Sequence, residues 1–102
     1  MTERPAESYR DHPNTALIVV EVSDSSLGLD RRKAGLYAAA GVPEYWILNL
    51  VARRLEVHRH PVADAEQEFG HRYEQVSALG EDQTIAPLAR PEAKILIKKF
   101  FE

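Results

Sequence analysis

The chain has 102 residues, and its 13 Lys plus Arg against 16 Asp plus Glu give a formal net charge of −3. That length allows one domain at most. Apolar residues make up 44% and charged residues 28%, a globular composition that excludes a disordered acidic tail or a collagen-like repeat. With no cysteine, neither a disulfide framework nor a thiolate metal site is available.

Residues 1–15 contain Pro5 and Pro13 and no periodic apolar pattern, so an irregular lead-in is expected before a single domain over residues 16–102. The N-terminus shows neither a basic start nor an apolar stretch behind it, which predicts no secretory signal and a cytoplasmic setting. The apolar run over residues 16–20 ends at Glu21, far below the roughly 18 to 20 residues a membrane span needs. The acidic balance also argues against coating nucleic acid by bulk charge.

Residues 17–22 form a β-branched run, apolar on both faces, that predicts a central strand covered on both sides. A turn-rich link over 23–28 leads to a helix predicted over 30–40, with an inward stripe at Leu29, Lys33, Leu36, Tyr37 and Ala40. Gly41 supplies a left-handed cap and Pro43 prevents continuation. The aromatic and aliphatic stretch 44–50 predicts a second strand. Strand, helix and strand over about 30 residues make a βαβ crossover with parallel strands. Residues 53–59 alternate Leu55 and Val57 with Glu56 and His58, which predicts an antiparallel strand with one wet face. A polar loop over 61–70, a strand over 71–78 and a turn over 80–84 follow. Ile85 begins a short strand, residues 95–97 form a last one, and Phe100 and Phe101 pack the tail down.

Two residues stand out chemically. Glu21 lies within the first strand, on the face shared by Leu17, Val19 and Ser23, where an ionised carboxylate needs a partner or a metal. Lys33 falls in the sheet-facing stripe of the helix, one turn from its start and near the carboxyl end of the Glu21 strand, where α/β sheets tend to place ligands. The alternatives are a Glu21 that reaches solvent or an arginine, and a Lys33 that snorkels at the stripe's edge. Asp30 reads as a helix cap or dipole partner, and Tyr37 and Trp46 as core aromatics. His12, His58, His60 and His71 lack zinc-like spacing, although His58 and His60 fall on one strand face. The basic groups Arg31-Arg32-Lys33 and Arg53-Arg54 could touch phosphates, but a solvated helix face and a solvated turn are the ordinary readings.

The segments Leu17-Ile-Val-Val-Glu-Val-Ser-Asp-Ser-Ser26, Asp30-Arg-Arg-Lys33, Leu36-Tyr37-Ala-Ala-Ala-Gly41-Val-Pro-Glu-Tyr-Trp46-Ile-Leu-Asn-Leu50 and Leu55-Glu-Val-His-Arg59 together resemble the Uma-type family of restriction-endonuclease-like proteins. That family belongs to the PD-(D/E)XK nuclease superfamily. The resemblance implies an α/β (α+β) fold with a mixed central sheet, and a site hydrolysing nucleic-acid phosphodiester bonds, with DNA as the expected partner. In that superfamily an Asp and a Glu from adjacent strands hold Mg²⁺ or Mn²⁺, and a lysine positions or activates the attacking water. Carried over, Glu21 is the metal-binding and catalytic carboxylate. Ser23 stands where the lysine usually lies, and Lys33 takes over its function from the helix. Asp30 and Tyr37 are supporting positions. The family's earlier strand ending in Pro-Asp has no counterpart in residues 1–15, so the N-terminal part of the domain is expected to be missing. Activity is then expected to be weak, absent or dependent on a partner chain. The uncovered edge suggests a homodimer, and the alternative function is a non-catalytic dimerising or protein-interaction module derived from the nuclease fold.

Overall fold

In the computed structural model, residues 16–102 are described. The expected lead-in over residues 1–15 lies outside the described residues. The β-branched run becomes β1 (Val19–Ser23), followed by α1 (Leu27–Ala39) and β2 (Glu44–Asn49). β1 and β2 are parallel, with Glu21 opposite Ile47, as the crossover predicts. Gly41 adopts the left-handed conformation expected of it, with φ 80°. The Gly41 and Val42 amides donate to the Ala38 and Tyr37 carbonyls at 3.0 and 3.1 Å, which closes the last turn of α1 as a Schellman cap.

β3 (Arg54–Ala63) pairs antiparallel with β2, and β4 (His71–Leu79) pairs antiparallel with β3. The result is α+β: a mixed sheet of order β1-β2-β3-β4 with one helix against it. β3 runs further than the sequence predicts and takes in Pro61, so the connecting loop shortens to 64–70. A left-handed residue, His60 (φ 69°), interrupts the alternation. His58 is buried while His60 is exposed, so the two do not share an environment as their spacing suggests.

The helix side of the sheet packs Ala34 and Ala38 against Tyr45, Ile47 and Tyr73. On the other side Trp46, Leu48, Leu55 and Val57 pack with Ile85 and Ile97. This cover comes from a small hairpin, β5 (Thr84–Ile85) and β6 (Ile95–Leu96), and a final 3-10 turn (Ile97–Phe101). Phe100 and Phe101 join it as expected, whereas Ile97 belongs to the turn and not to a strand.

Four expectations are corrected. β1 is an edge strand among the described residues, and its Val20 and Val22 are 49% and 59% exposed. The C-terminal cover sits over β2 and β3 and does not reach β1, so β2 is the strand buried along its whole length. α1 begins at Leu27, three residues early, after Ser26. Its inward face is Asp30, Ala34 and Ala38, rotated from the predicted stripe, and Leu29 and Leu36 stay half exposed. Small side chains let the helix approach the bulky Tyr45 and Ile47. Finally, β3 has no wet face: Glu56 and His58 are buried beside Leu55 and Val57 because α1 lies over them.

A second buried carboxylate ties the C-terminal cover to the sheet. Glu44 is 1% exposed. It accepts from Trp46 Nε1 at 2.6 Å, Arg59 Nε at 2.7 Å and the Leu88 amide at 2.9 Å. Arg59 also donates to the Ala86 carbonyl at 2.6 Å.

Candidate functional site

The parallel β1–β2 pair and the crossover put α1 above the inner face of β1, where Val19, Glu21 and Ser23 alternate with exposed residues. Asp30, Lys33 and Tyr37 recur at i, i+3 and i+7 and so share one side of the helix. The structure brings them onto Glu21. Lys33 Nζ lies 3.6 Å from Glu21 Oε2 and 3.8 Å from Asp30 Oδ1. The Tyr37 hydroxyl donates to Glu21 Oε2 at 3.1 Å. Ser26 Oγ donates to Asp30 Oδ2 at 2.8 Å, and the Tyr45 hydroxyl donates to the Asp30 carbonyl at 2.8 Å. Burial, then the Glu21 hydrogen bond and charge, raise the Tyr37 phenol above its ordinary value. Tyr45 is raised further, chiefly by burial. Both phenols therefore stay protonated and act as donors.

Of the two roles the sequence suggests for Asp30, dipole partner and helix cap, it takes the first and not the cap. Ser26 holds that position, and Asp30 is a buried first-turn acid, 3% exposed, tied down by Ser26 and Lys33. Glu21 and Lys33 keep 28% and 35% of their side-chain surface open, so the pair reaches solvent, whereas Asp30 does not. Ser23 is buried at the end of β1, where its carbonyl accepts from the Leu50 amide at 2.9 Å. It lies beneath the site and does not take the lysine's place.

Two carboxylates facing one ammonium are hard oxygen donors of the kind Mg²⁺ takes, and Mg²⁺ commonly uses one or two carboxylates and completes its shell with water or substrate phosphate. Among the described residues no group of three or more His, Cys, Asp or Glu gathers as a cage. Glu21, the carboxylate open to solvent, thus fits an ion shared with substrate better than one enclosed by protein, with the buried Asp30 held behind Lys33.

Sequence reasoning missed a second polar cluster, on the opposite side of α1. Arg31 Nε donates to Glu56 Oε2 at 2.9 Å, with Nη2 of the same guanidinium also on that oxygen. Glu56 Oε1 lies 3.3 Å from His58 Nε2. Arg31 and Arg32 are exposed, as predicted for the basic run, and each member also has an acidic partner: Arg31 with Glu56, Arg32 with Glu68, Lys33 with Glu21. The only hint in the sequence was a charged residue and a histidine alternating with buried Leu55 and Val57.

Burial lowers the His58 pKa below its ordinary value although Glu56 pulls it upward. For Glu56 burial pushes upward, but the Arg31 bonds and charge, helped by His58, outweigh it and leave the carboxyl below its ordinary range. Both folded-state values lie below the unfolded ones, so the unfolded chain binds more protons as pH falls. Stability is therefore full above the ordinary histidine value of about 6.5 and declines as pH drops through it, with Glu56 adding a second loss in the carboxylate range. Urea midpoints are expected to fall between neutral pH and about pH 5.5, and His58→Gln should flatten that upper phase. A midpoint that rises on acidification over the same interval would contradict this burial account.

No described helix is long and apolar enough to cross a membrane. Comparison with protein families matches residues 2–96 to Uma2, described as "Putative restriction endonuclease". Comparisons with curated proteins and with solved structures find no match.

Proposed function

The chain belongs to the Uma2 family of restriction-endonuclease-like proteins, and on that premise we propose that it cleaves phosphodiester bonds of nucleic acid, DNA foremost, with Mg²⁺ or Mn²⁺, in the cytoplasm. The observation that carries this reading is Lys33 Nζ between the carboxylates of Glu21 and Asp30, at 3.6 and 3.8 Å. Glu21 is the residue that would hold the ion, and Asp30 supports it from behind Lys33. A divalent ion, when bound, supplies charge stabilisation at the phosphoryl oxygens.

The remaining work falls to side chains. Lys33 carries a positive charge and three donors on a flexible stem, about one-third open to solvent, which suits it to a substrate phosphate oxygen and to orienting the attacking water. Tyr37 fixes the Glu21 carboxylate through its hydroxyl, and Ser26 fixes Asp30. Supercoiled plasmid is expected to be nicked in the presence of Mg²⁺ or Mn²⁺ and protected by EDTA. Nicking that continues in EDTA, or that Glu21→Gln leaves unchanged, would overturn the proposal.

One observation favours a second reading. β1 presents an unpaired edge among the described residues together with exposed Val20 and Val22, the pattern by which sheets recruit another strand. A homodimerising or protein-interaction module would use that edge. Sedimentation of the wild type as a monomer would count against it.

A further inference from the structure

Between α1 and the β3–β4 half of the sheet lies a cavity of about 260 Å³, lined among others by Arg31, Arg32, His58, Phe69, Arg72 and Tyr73. This volume is near the lower end of small-ligand sites (roughly 300 Å³). It is separate from the Glu21–Lys33 pair, which lies toward the other edge of the sheet. Three guanidinium groups on one small cavity are an unusual concentration of charge in a chain of net charge −3.

The three are held differently. Arg31 is committed to the buried Glu56, whose ionised form depends on it. Among the described residues, Arg32 and Arg72 are answered from the connecting loop 64–70. Arg32 Nε donates to Glu68 Oε1 at 2.8 Å, with its second nitrogen on Glu68 Oε2, and Arg72 Nε donates to Asp64 Oδ2 at 2.8 Å. Asp64 has a local duty besides, accepting from the Glu66 amide at 3.1 Å. Glu68 is about half exposed and Arg32 about two-thirds. Exposed pairs of this kind contribute little to stability and are screened by salt. The loop is anchored next to them by Phe69 on Gly35, where an added Cβ would come within 3.1 Å of the Phe69 ring.

The forked Arg32–Glu68 contact is the geometry a guanidinium offers to any tetrahedral or planar oxyanion. We propose that this cavity is a phosphate site, in which Arg32 and Arg72 take a phosphate dianion and the Glu68 carboxylate occupies the Arg32 fork until it is displaced. A dianion gives each guanidinium a stronger partner than the surface carboxylate it leaves. His58 and Tyr73 form the floor, and the remaining room admits the sugar of a terminal nucleotide. The proposal stands on residues other than Glu21 and Lys33, so its failure would leave the cleavage reading untouched.

Titration of the full chain with inorganic phosphate, followed by amide NMR at constant ionic strength, tests it. Saturable shifts are expected at Arg32, Phe69 and Arg72, and sodium chloride should not reproduce them. Glu68→Gln removes the competing charge and is expected to tighten binding about threefold, whereas Arg32→Gln and Arg72→Gln should each weaken it about tenfold. Thymidine 5′-monophosphate should bind and thymidine should not. If only inorganic phosphate binds, the ligand is free phosphate and not a nucleotide end. Shifts that do not saturate, that chloride reproduces, or that remain the same in Glu68→Gln and Arg32→Gln would overturn the assignment, as would equal binding of thymidine.

Discussion

Replacing Glu44 by alanine is expected to cost about 3–5 kcal/mol, the range found when one partner of a buried charged pair is removed. The reason is the number of groups that converge on this side chain. Its carboxylate serves the Trp46 indole, the Arg59 guanidinium and the Leu88 amide, and none of the three has water to fall back on in full. Removing it leaves a buried indole N–H without a partner and a half-buried guanidinium with the neutral Ala86 carbonyl in place of its counter-charge. Arg59→Ala should be comparably damaging, because it leaves an ionised carboxylate that is 1% exposed without its counter-charge. Against a total stability of about 5–15 kcal/mol, either change brings the chain close to unfolding at growth temperature. Trp46 is the single tryptophan, so its fluorescence during urea unfolding reports the loss at the place where it arises. A shift in stability under about 1 kcal/mol for both variants would show that the Glu44 hub is not structural.

Glu21→Gln and Lys33→Ala are expected to lower any metal-dependent nicking by about a hundredfold or more, in line with removal of a charge-stabilising group at a reacting centre. Both side chains are partly open and lie toward the edge of the sheet, so the fold should tolerate each change. Tyr37→Phe removes one hydrogen bond that orients Glu21 and should lower the rate by about tenfold, a cost of roughly 1.4 kcal/mol. Far-UV circular dichroism and the urea midpoint separate these effects from unfolding. Full nicking by both charged-residue variants would remove the site assignment, whatever the state of the fold.

The βαβ unit was legible in the sequence because it rests on local periodicity. The Glu21–Lys33 approach was one of two readings that spacing left open and was favoured by the family resemblance. The helical stripe that placed Lys33 inward is rotated in the structure. Val19-Val20-Glu21-Val22 announces a strand, Gly41 and Pro43 end the helix, and the alternation along β1 puts Glu21 on the face that a crossover helix must cover. Features set by distant partners were not legible. An all-apolar strand reads alike at the centre or the edge of a sheet, so Val20 and Val22 gave no sign that the C-terminal hairpin stops short of them. Ala34 and Ala38 bury a helix face with too little apolar surface to outweigh Leu29 and Leu36 in a periodicity count. Glu56 and His58 looked wet because the residue that makes their burial tolerable, Arg31, lies far away in the chain and meets them only after α1 docks. The same holds for Glu44, whose partners Arg59 and Leu88 come from β3 and from the segment after β5.

The proposed function depends on whether Glu21 receives a divalent ion beside Lys33 and Asp30. Paramagnetic Mn²⁺ titrated into the isotopically labelled chain reads this most directly. Line broadening is expected to centre on the amides of Glu21, Asp30 and Lys33, to be relieved by excess Mg²⁺, and to vanish in Glu21→Gln with the rest of the spectrum unchanged. Broadening centred elsewhere, or undiminished in Glu21→Gln, would contradict it.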